Sequence, residues 1–290
     1  MLGWIIDDLE DWIKELLQGI IISNLETMFQ DVNENTNDIA TQVGQTPSGW
    51  NGSIYGFIHT LSETVIMPIA GLIITFVLCY ELISMLTEKN NMHEIDTWMF
   101  FKYFFKMWVA VYLVSHTWNI TMAVFDLGQS IVNDASGVVK SNATIDWTSK
   151  LSMILTQTTL LDVGELATLA LESMLVSMCM KILSVVITVI VYGRMIEIYL
   201  YTSVAPIPFA TMTNKEWGQI GTGYLRGLFA LAFQGFLMMV CVGIYAVLVS
   251  TVELSDNIHS ALFGIIGYTV ILVFSLFKTG SLAKSIFNAH

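Results

Sequence analysis

Long apolar runs recur along the 290-residue chain. Five of them are near the ~20 residues that a helix needs to cross the hydrocarbon core of a bilayer. They lie at about 64–86, 98–120, 174–201, 224–250 and 260–277. The third and fourth are longer than a bilayer requires, so we expect them to tilt or to project beyond it. The pattern predicts an all-α polytopic membrane protein with about five transmembrane helices.

An amphipathic pattern precedes the first run. In residues 1–30, apolar side chains repeat at helical spacing and acidic side chains fill the opposite face. We interpret this segment as an extracytoplasmic helix that meets a protein partner, because an anionic lipid surface favours a basic polar face. The apolar positions assigned to this contact are Trp4, Leu9, Trp12 and Leu16. Packing against the outer surface of the same chain explains the pattern equally well.

Changes in composition divide the rest of the chain. The predicted segments are an outer helix (1–30), an outer linker (31–63), a transmembrane hairpin (64–126), an outer polar and helical segment (127–173), three further transmembrane helices (174–278) and a cytoplasmic tail (279–290). The linker has the composition of a loop, above all in residues 31–53. The second outer segment enters the third span without a Gly or Pro break, which predicts one long helix.

The basic residues are distributed unevenly and predict an orientation. If the segment between the first two spans is cytoplasmic, most of the twelve Lys and Arg residues lie on that side or at its span ends. This places the N-terminus outside and the C-terminus in the cytoplasm. The outer segments then hold most of the acids, so the net charge of −12 is concentrated on the external face.

Composition excludes several functional classes. With 54% hydrophobic and 12% charged residues, the chain is too apolar for a soluble domain. The five histidines are scattered without metal-binding spacing, and no glycine-rich nucleotide-binding motif is present. A sequence pI near 4.7 is the reverse of a phosphate-binding surface. We therefore predict no catalytic site, no metal and no cofactor other than structural lipids.

Lys181 and Glu81 are two charged residues of the predicted spans for which the sequence leaves both a bland and a functional interpretation open. Lys181 lies about a third of the way along the third span, where a charge at the bilayer centre costs roughly 2.5–3.5 kcal/mol. It either snorkels to the outer boundary or faces an oligomer lumen or an acid at a subunit seam. Glu81, near the inner end of the first span, poses the same choice between a boundary position and a functional one.

The inner boundary carries further charged and aromatic residues. Arg194 and Glu197 are three residues apart, which predicts an ion pair on one helix face. Lys102 and Lys106 are four apart among aromatic residues and form a basic strip. Such a strip anchors lipid headgroups or, less commonly, docks a cytoplasmic ATPase. Trp217 is predicted to anchor at the membrane interface.

The sequence S-V-A-P-I-P-F (203–209) interrupts the apolar pattern after the third span. Pro206 removes a backbone donor, and Pro208 favours an extended Ile207. We predict an inner-leaflet elbow over 203–223, packed against its neighbours because irregular backbone at membrane depth must be shielded from lipid.

Small residues open the fourth span. Gly223 and Gly227 have a spacing that lets a second helix approach closely, which predicts self-association. Gln234, in the middle of the span, is predicted to hydrogen-bond to a neighbouring helix.

The proline stretch, the Trp-bearing turn after it and the five-span, N-out layout with an acidic outer helix resemble one family. This is the TrbL/VirB-type polytopic inner-membrane subunit of type IV secretion and conjugation machines. The resemblance implies a homo-oligomer, with five copies, in the bacterial plasma membrane at the base of a conduit for DNA and protein. It also implies contacts with extracytoplasmic stalk or scaffold subunits and with cytoplasmic ATPases.

We accordingly predict a non-enzymatic channel or platform subunit that forms a ring. The alternative is a small-solute or ion transporter in which the elbow is a broken helix and Lys181 a coupling charge. The odd number of spans and the lack of a second broken segment disfavour a transporter. A scaffold without any passage differs only in whether a continuous lumen exists.

Overall fold

The computed structural model describes residues 3–88, 97–142, 147–252 and 258–289, and all regular elements within them are helical. The elements are α1 (Gly3–Val43), α2 (Pro47–Trp50), α3 (Gly52–Leu61), a π-helical turn (Ser62–Ile66), α4 (Met67–Glu88), α5 (Thr97–Ser115), α6 (Thr117–Asn142), α7 (Trp147–Thr158), α8 (Val163–Ser203), α9 (Pro206–Thr211), α10 (Gly218–Ser250) and α11 (Ile258–Ile286). The predicted all-α class is confirmed.

Four helices of the described ranges are long and apolar enough to cross a membrane. They are Gly52–Thr87, Val163–Ser203, Gly218–Ser250 and Ile258–Ile286. They contain the first, third, fourth and fifth predicted spans, which confirms the polytopic architecture. The second predicted span is covered mainly by α5, whose 19 residues include two lysines; α5 is not among these four candidate spans.

Two of the predicted segment boundaries lie within continuous helices. The boundaries at 126 and 173 both fall inside helices, in α6 and α8 respectively. The expected continuous helix into the third span is observed, since α8 runs unbroken for 41 residues.

The prediction of a loop in residues 31–53 was wrong. Residues 31–43 form the last turns of α1, and the chain is helical again from Pro47. Val32, Ile39 and Val43 are buried at helical spacing, so this polar segment has one packed face. The loop prediction counted its many Asn, Asp and Thr residues and overlooked that spacing.

The first membrane helix begins earlier than predicted, at Gly52, and contains an irregular turn. Asn51 caps its start, because the Asn51 Oδ1 atom accepts hydrogen bonds from the backbone N–H groups of Ser53 and Ile54, at 3.1 and 3.0 Å. Pro68 has no N–H for the carbonyl one turn before it. The residues just before this proline widen into the π-helical turn Ser62–Ile66, which accommodates the missing hydrogen bond.

The chain forms two compact units. Unit 1 contains Met1–Val43, Val132–Val191 and Leu237–Thr279, and unit 2 contains Gly44–Ile131, Tyr192–Phe236 and Gly280–His290. The helices α6, α8, α10 and α11 contribute residues to both units.

In unit 1, α1 packs in parallel along α8. The Asn24 side-chain amide donates to Ser173 Oγ at 3.1 Å, and Ser184 Oγ donates to Asn35 Oδ1 at 2.7 Å. Both pairs are 149 residues apart in the sequence, so the two helices run in the same direction without a change of register. Apolar side chains fill the space between them, including Leu25, which is 1% exposed.

Polar contacts join the other helices of unit 1. Lys150 of α7 donates to the carbonyl oxygens of Ser250 and Val252, at 3.1 and 2.8 Å, and so caps the C-terminal end of α10. Burial at this position lowers the pKa of the Lys150 ammonium group. The Tyr245 and Thr269 hydroxyls hydrogen-bond at 3.0 Å between α10 and α11.

In unit 2, two tyrosines join the end of α8 to the start of α10. The Tyr201 hydroxyl donates to the Tyr224 carbonyl at 3.0 Å, and the Tyr224 hydroxyl donates to the Tyr201 carbonyl at 2.8 Å. Their rings stack with centroids 4.4 Å apart. A Cβ atom on Gly227 would lie 2.1 Å from the Tyr201 hydroxyl oxygen, whereas one on Gly223 would meet open space. The close approach that Gly227 allows is therefore made within the chain.

Replacing Gly227 by alanine should destabilise the protein. The added methyl group must displace a tyrosine that is held by two hydrogen bonds and a stacked ring, and overpacking of this kind typically costs about 1–3 kcal/mol. The measurement is the thermal unfolding midpoint of the purified protein in mild detergent. Gly223→Ala is the matched control, since it lies one turn away in open space; an equal loss in both variants would contradict the prediction.

Candidate functional site

The chain breaks at the predicted elbow, and two prolines shape the break. Helix α8 ends at Ser203, and α9 starts at Pro206. Pro206 and Pro208 both lie in the first turn of α9, where backbone N–H groups have no intrahelical acceptor. The expectation of an extended Ile207 was therefore wrong: Ile207 is helical, and its N–H donates to the Val204 carbonyl at 3.2 Å.

The elbow is packed against α4 and α5 of unit 2. Pro206, Phe209, Ala210 and Thr211 are buried. Phe209 and Ala210 belong to one apolar cluster with residues of α4 and α5, such as Ala70 and Ala110. The irregular backbone is thus shielded by the protein itself, so its polar groups need not face lipid, which offers them no hydrogen bonds.

Glu81 of α4 fastens this packing. Its carboxylate accepts hydrogen bonds from Lys106 Nζ of α5 at 2.5 Å and from the Asn214 side-chain amide at 3.1 Å. The Asn214 Oδ1 atom in turn accepts from the N–H groups of Glu216 and Trp217, at 2.8 and 3.0 Å. Glu81, Lys106 and Asn214, which we call the Glu81 cluster, join α4, α5 and the turn after α9. Glu81 is satisfied within its own chain, as an anchoring residue.

The other predicted boundary residues also have partners in unit 2. Trp217 stacks on the rings of Phe76 and Tyr80 of α4, with centroids 5.6 and 5.2 Å apart. Lys102 is exposed and lies 5.7 Å from the centre of the Trp98 ring, whereas Lys106 turns to Glu81. The predicted basic strip is therefore split, and only Lys102 remains available to headgroups or a partner.

Arg194 and Glu197 do not form the predicted ion pair. Arg194 is 6% exposed, and one of its terminal nitrogens donates to the Leu231 carbonyl of α10 at 3.4 Å. Its Nε atom has no hydrogen-bond partner among the described residues. Glu197 instead binds Lys284 of α11, with Nζ to Oε1 at 2.9 Å. The two side chains are directed to different neighbouring helices, which sequence spacing does not reveal.

Gln234 is buried in α10 and lies beside another helix of the same chain. A Cβ atom on Gly280 of α11 would be 3.3 Å from the Gln234 side-chain nitrogen. The neighbouring helix predicted for Gln234 is thus α11, and the absence of a side chain at Gly280 makes room for the amide.

Lys181, in unit 1, faces an acid of its own chain. It is exposed on α8, and its charge acts on Asp31 of α1. The Asp31 Oδ2 atom is buried and has no hydrogen-bond partner among the described residues. Burial therefore raises the pKa of Asp31, Lys181 lowers it, and Glu34 raises it. Lys181 thus has an acid near it within the protomer, whereas its snorkelling, lumen and subunit-seam alternatives stay predictions.

The apolar row that the sequence assigns to a partner contact is exposed on α1. Leu9, Trp12 and Leu16 are exposed, by 55%, 59% and 48%, and Ile20 continues the row. The Trp4 side chain lies outside the described residues. No metal-binding group of three or more His, Cys, Asp or Glu residues occurs in the ranges that the structure describes.

A sequence profile identifies the family. The profile described as "TrbL/VirB6 plasmid conjugal transfer like protein" matches residues 32–206, which is more than half of the chain. The chain belongs to this family. No curated protein and no solved structure matches it.

Membership of the TrbL/VirB6 family defines the general role. The chain is a structural component of a conjugal transfer or type IV secretion system, and it acts within a multi-subunit complex. The family match and the apolar helices together make it a multi-pass membrane protein. The matched region of this TrbL/VirB6 chain begins in α1, one residue after Asp31. It includes Glu81 and ends at Pro206, where α9 starts.

Sequence reasoning missed Asn214 and the pair of Asp31 and Asn35. Asn214 follows α9, and its side chain accepts hydrogen bonds from two backbone N–H groups of the turn after it. An asparagine at the start of a turn is a sequence signal for such a contact. Asp31 and Asn35 are four apart on the same helix face, but the segment had been interpreted as a loop.

Breaking the Glu81 cluster should reveal a coupled pair in this TrbL/VirB6 protein. Glu81→Gln and Lys106→Met each leave one partly buried group without its partner, so each should lower the thermal midpoint. The double variant should lose less than the sum of the two, with a coupling of about 0.5–3 kcal/mol. Lys102→Met, one turn away and exposed, should change little. Strict additivity would show that the two charges do not interact.

Removing Lys181 should make stability depend more strongly on pH. The folded pKa of Asp31 is raised, so its protonated form favours folding, and that contribution is lost as pH rises through the folded pKa. Lys181→Met raises this pKa further. Its destabilisation, about 1 kcal/mol or less because Lys181 is exposed, should appear at pH 7 and shrink near pH 4.

The thermal midpoint at the two pH values measures this effect. In an Asp31→Asn background, Lys181→Met should cost the same at both pH values, because the carboxyl group on which Lys181 acts is no longer there to titrate. Lys14→Met is the control, since Lys14 forms an exposed pair with Glu10 on the same helix as Asp31. An equal loss at both pH values in Lys181→Met would count against the Asp31 interaction.

Proposed function

We propose that the protein is the membrane-embedded channel and platform subunit of a bacterial conjugation or type IV secretion machine. Several copies, five by analogy with the family, form a ring in the plasma membrane. The observation that carries the proposal is the family match over residues 32–206 in a chain with four long apolar helices. The N-terminus is outside and the C-terminus in the cytoplasm.

The packing supports a structural role rather than a transport cycle. The broken segment at α9 is buried against α4 and α5 and fastened by the Glu81 cluster. A transporter site would need irregular backbone that faces a polar cavity. Here the elbow acts as a rigid corner on which the membrane helices of unit 2 are arranged.

Two exposed surfaces suit contacts with other subunits. The row Leu9, Trp12, Leu16 and Ile20 offers aromatic and aliphatic side chains to an extracytoplasmic stalk or scaffold subunit. Lys102, beside Trp98, offers a cation at the cytoplasmic boundary to lipid headgroups or to a motor ATPase.

The charge of the chain suits a substrate that passes through. At a net charge of −12, the protein repels the phosphate backbone of DNA rather than binding it. A conduit needs low affinity for its cargo along its length, because tight binding would retain the strand. DNA or protein is therefore a substrate in transit, driven by ATPases elsewhere in the machine.

Deleting the gene in a donor strain should abolish DNA transfer to recipients. Nicking of the DNA at its transfer origin, which occurs in the cytoplasm, should continue. Expression of the full chain in trans should restore transfer. Undiminished transfer in the deletion strain, or loss of nicking together with transfer, would refute the proposed role.

Native mass spectrometry of the protein in lipid nanodiscs gives the second readout of the same proposal. A closed assembly of several copies is expected. A homogeneous monomer or dimer would favour the transporter instead.

A further inference from the structure

An apolar cavity of about 190 Å³ lies within unit 2, between α6, α10 and the residue that follows α11. Four phenylalanines line it: Phe229, Phe233 and Phe236 of α10, and Phe287 just after α11. The other lining residues, from α6 and α10, are aliphatic or glycine. The lining side chains therefore carry no polar atom. We call this space the phenylalanine cavity.

Stacked rings and a close helix contact form the walls of the phenylalanine cavity. Phe287 stacks on Phe229 with ring centroids 6.3 Å apart, and it meets Phe233 edge-on at 5.6 Å. On the other side, a Cβ atom on Gly128 of α6 would lie 3.0 Å from both the Cβ atom and the carbonyl oxygen of Ala232. The two helices approach this closely because Gly128 has no side chain. The cavity is thus a product of defined packing.

The phenylalanine cavity is open to the surroundings of a membrane helix. Two of its lining residues are partly exposed, Leu127 by 58% and Phe229 by 38%. All of α10 belongs to one candidate membrane span, and α11, which ends one residue before Phe287, is another. The lining part of α6 lies beside the span α10, because Gly128 contacts Ala232. The medium at the mouth of the cavity is therefore lipid.

The size and polarity of the cavity define what can fill it. A purely apolar cavity stays dry and accepts apolar guests instead of water. A volume of about 190 Å³ is below the ~300–1,000 Å³ of most pockets for small-molecule ligands. It holds roughly six groups of the ~30 Å³ size of a water molecule, which is about the size of a methylene. A segment of a lipid acyl chain meets both conditions.

A cation lies on the same face of α10 as the cavity. Arg226 is exposed, and it precedes Phe229 by three residues and Phe233 by seven, which are the spacings of one helix face. Its side chain has no hydrogen bond or ion pair with the residues that the structure describes. The predicted fourth span starts at about 224, so Arg226 lies at one end of it. The lining phenylalanines of α10 lie about 5–15 Å further along the helix axis.

The acids around the cavity do not compensate this cation. Asp126 of α6 is exposed and lies two residues from each of the lining residues Val124 and Gly128. Two residues correspond to about 200° around a helix, so Asp126 is on the opposite face of α6. Glu197 reaches α11 one turn before Phe287, but it is already bound to Lys284. Arg226 therefore leaves this end of the cavity positively charged.

We propose that the phenylalanine cavity holds an acyl chain of an anionic phospholipid whose phosphate binds Arg226. A guanidinium group suits a phosphate because it donates several hydrogen bonds in one plane. Basic pockets between membrane helices bind such headgroups on the cytoplasmic side, which is the side of Arg226 in the proposed orientation. The lipid joins α6, α10 and the end of α11 as a structural ligand. This inference needs the membrane spans, but it does not rest on DNA transfer.

Photolabelling of the full-length protein in nanodiscs tests this site. The probes are phosphatidylglycerol and phosphatidylcholine with the same diazirine-bearing acyl chain. After irradiation, mass spectrometry quantifies the adducts at 124–131 and 229–236. Adducts on α4 around Leu72, which is 75% exposed, provide the reference for contact with bulk lipid.

Phosphatidylglycerol should label the cavity about fivefold more than phosphatidylcholine does, relative to α4. This ratio corresponds to the ~1 kcal/mol that one basic residue contributes toward anionic lipid. Arg226→Gln should abolish the preference. Lys215→Gln is the matched control, since Lys215 is an exposed cation in the turn before α10, and it should retain the preference.

A second pair of variants tests the acyl chain. Leu127→Trp places a ring at the mouth of the cavity and should reduce its labelling by both lipids several-fold. Leu200→Trp, at a position of α8 that is 64% exposed, should leave this labelling unchanged. Arg226, Leu127 and both control positions are exposed, so all four variants should keep the thermal midpoint of the parent.

Three outcomes would overturn the proposal. Equal labelling by the two lipids, or a preference that survives Arg226→Gln or is lost equally in Lys215→Gln, would contradict the phosphate contact. Adducts at the cavity that persist in Leu127→Trp would show that the chain lies elsewhere. Adducts on α4 without any at the cavity would indicate that a neighbouring copy, rather than lipid, covers it.

Discussion

Two side-chain hydrogen bonds, one at each end of a shared stretch of α1 and α8, determine much of what this protein exposes. Asn24 with Ser173 and Asn35 with Ser184 hold the two helices parallel and in one register. Each bond is worth only about 1 kcal/mol, but together with the buried apolar face they select one rotation of α1. That rotation determines which side chains of α1 are buried in the core, which lie near Lys181 and which are exposed. Asp31, placed opposite Lys181, lies within the same stretch.

In unit 2, the chain changes direction at α9 without exposing its backbone. The two prolines start a short helix instead of extending the chain, and the apolar side chains of α4 and α5 cover it. The Glu81 cluster adds polar contacts at the edge of this packing, while Tyr201 and Tyr224 join the helices on either side of the turn. The Glu81 cluster and the two tyrosines thus hold a backbone corner in place, so their role in unit 2 is architectural.

The sequence was sufficient for features that depend on local chemistry. Apolar runs of membrane length located four of the spans, and Pro206 marked where α8 stops. It failed where tertiary contacts decide the outcome. Arg194 and Glu197 share a helix, but α10 attracts one and α11 the other. Gly227 has the spacing of an intermolecular contact, yet Tyr201 occupies its surface. The polar part of α1 was missed because composition suggested a loop while Val32, Ile39 and Val43 kept helical spacing.

The π-helical turn at Ser62–Ile66 has a consequence for the angular phase of the first membrane helix. At about 100° per residue, Ile58 and Ala70 would lie roughly 120° apart on a regular α-helix. One extra residue in a turn reduces that angle by about 100° and brings both onto nearly the same side. Ile58 packs with Trp118 and Tyr199, and Ala70 packs with Phe209. The irregular turn therefore keeps both residues on the buried side of one long helix. In a regular α-helix, Ala70 would point away from the side on which Ile58 packs.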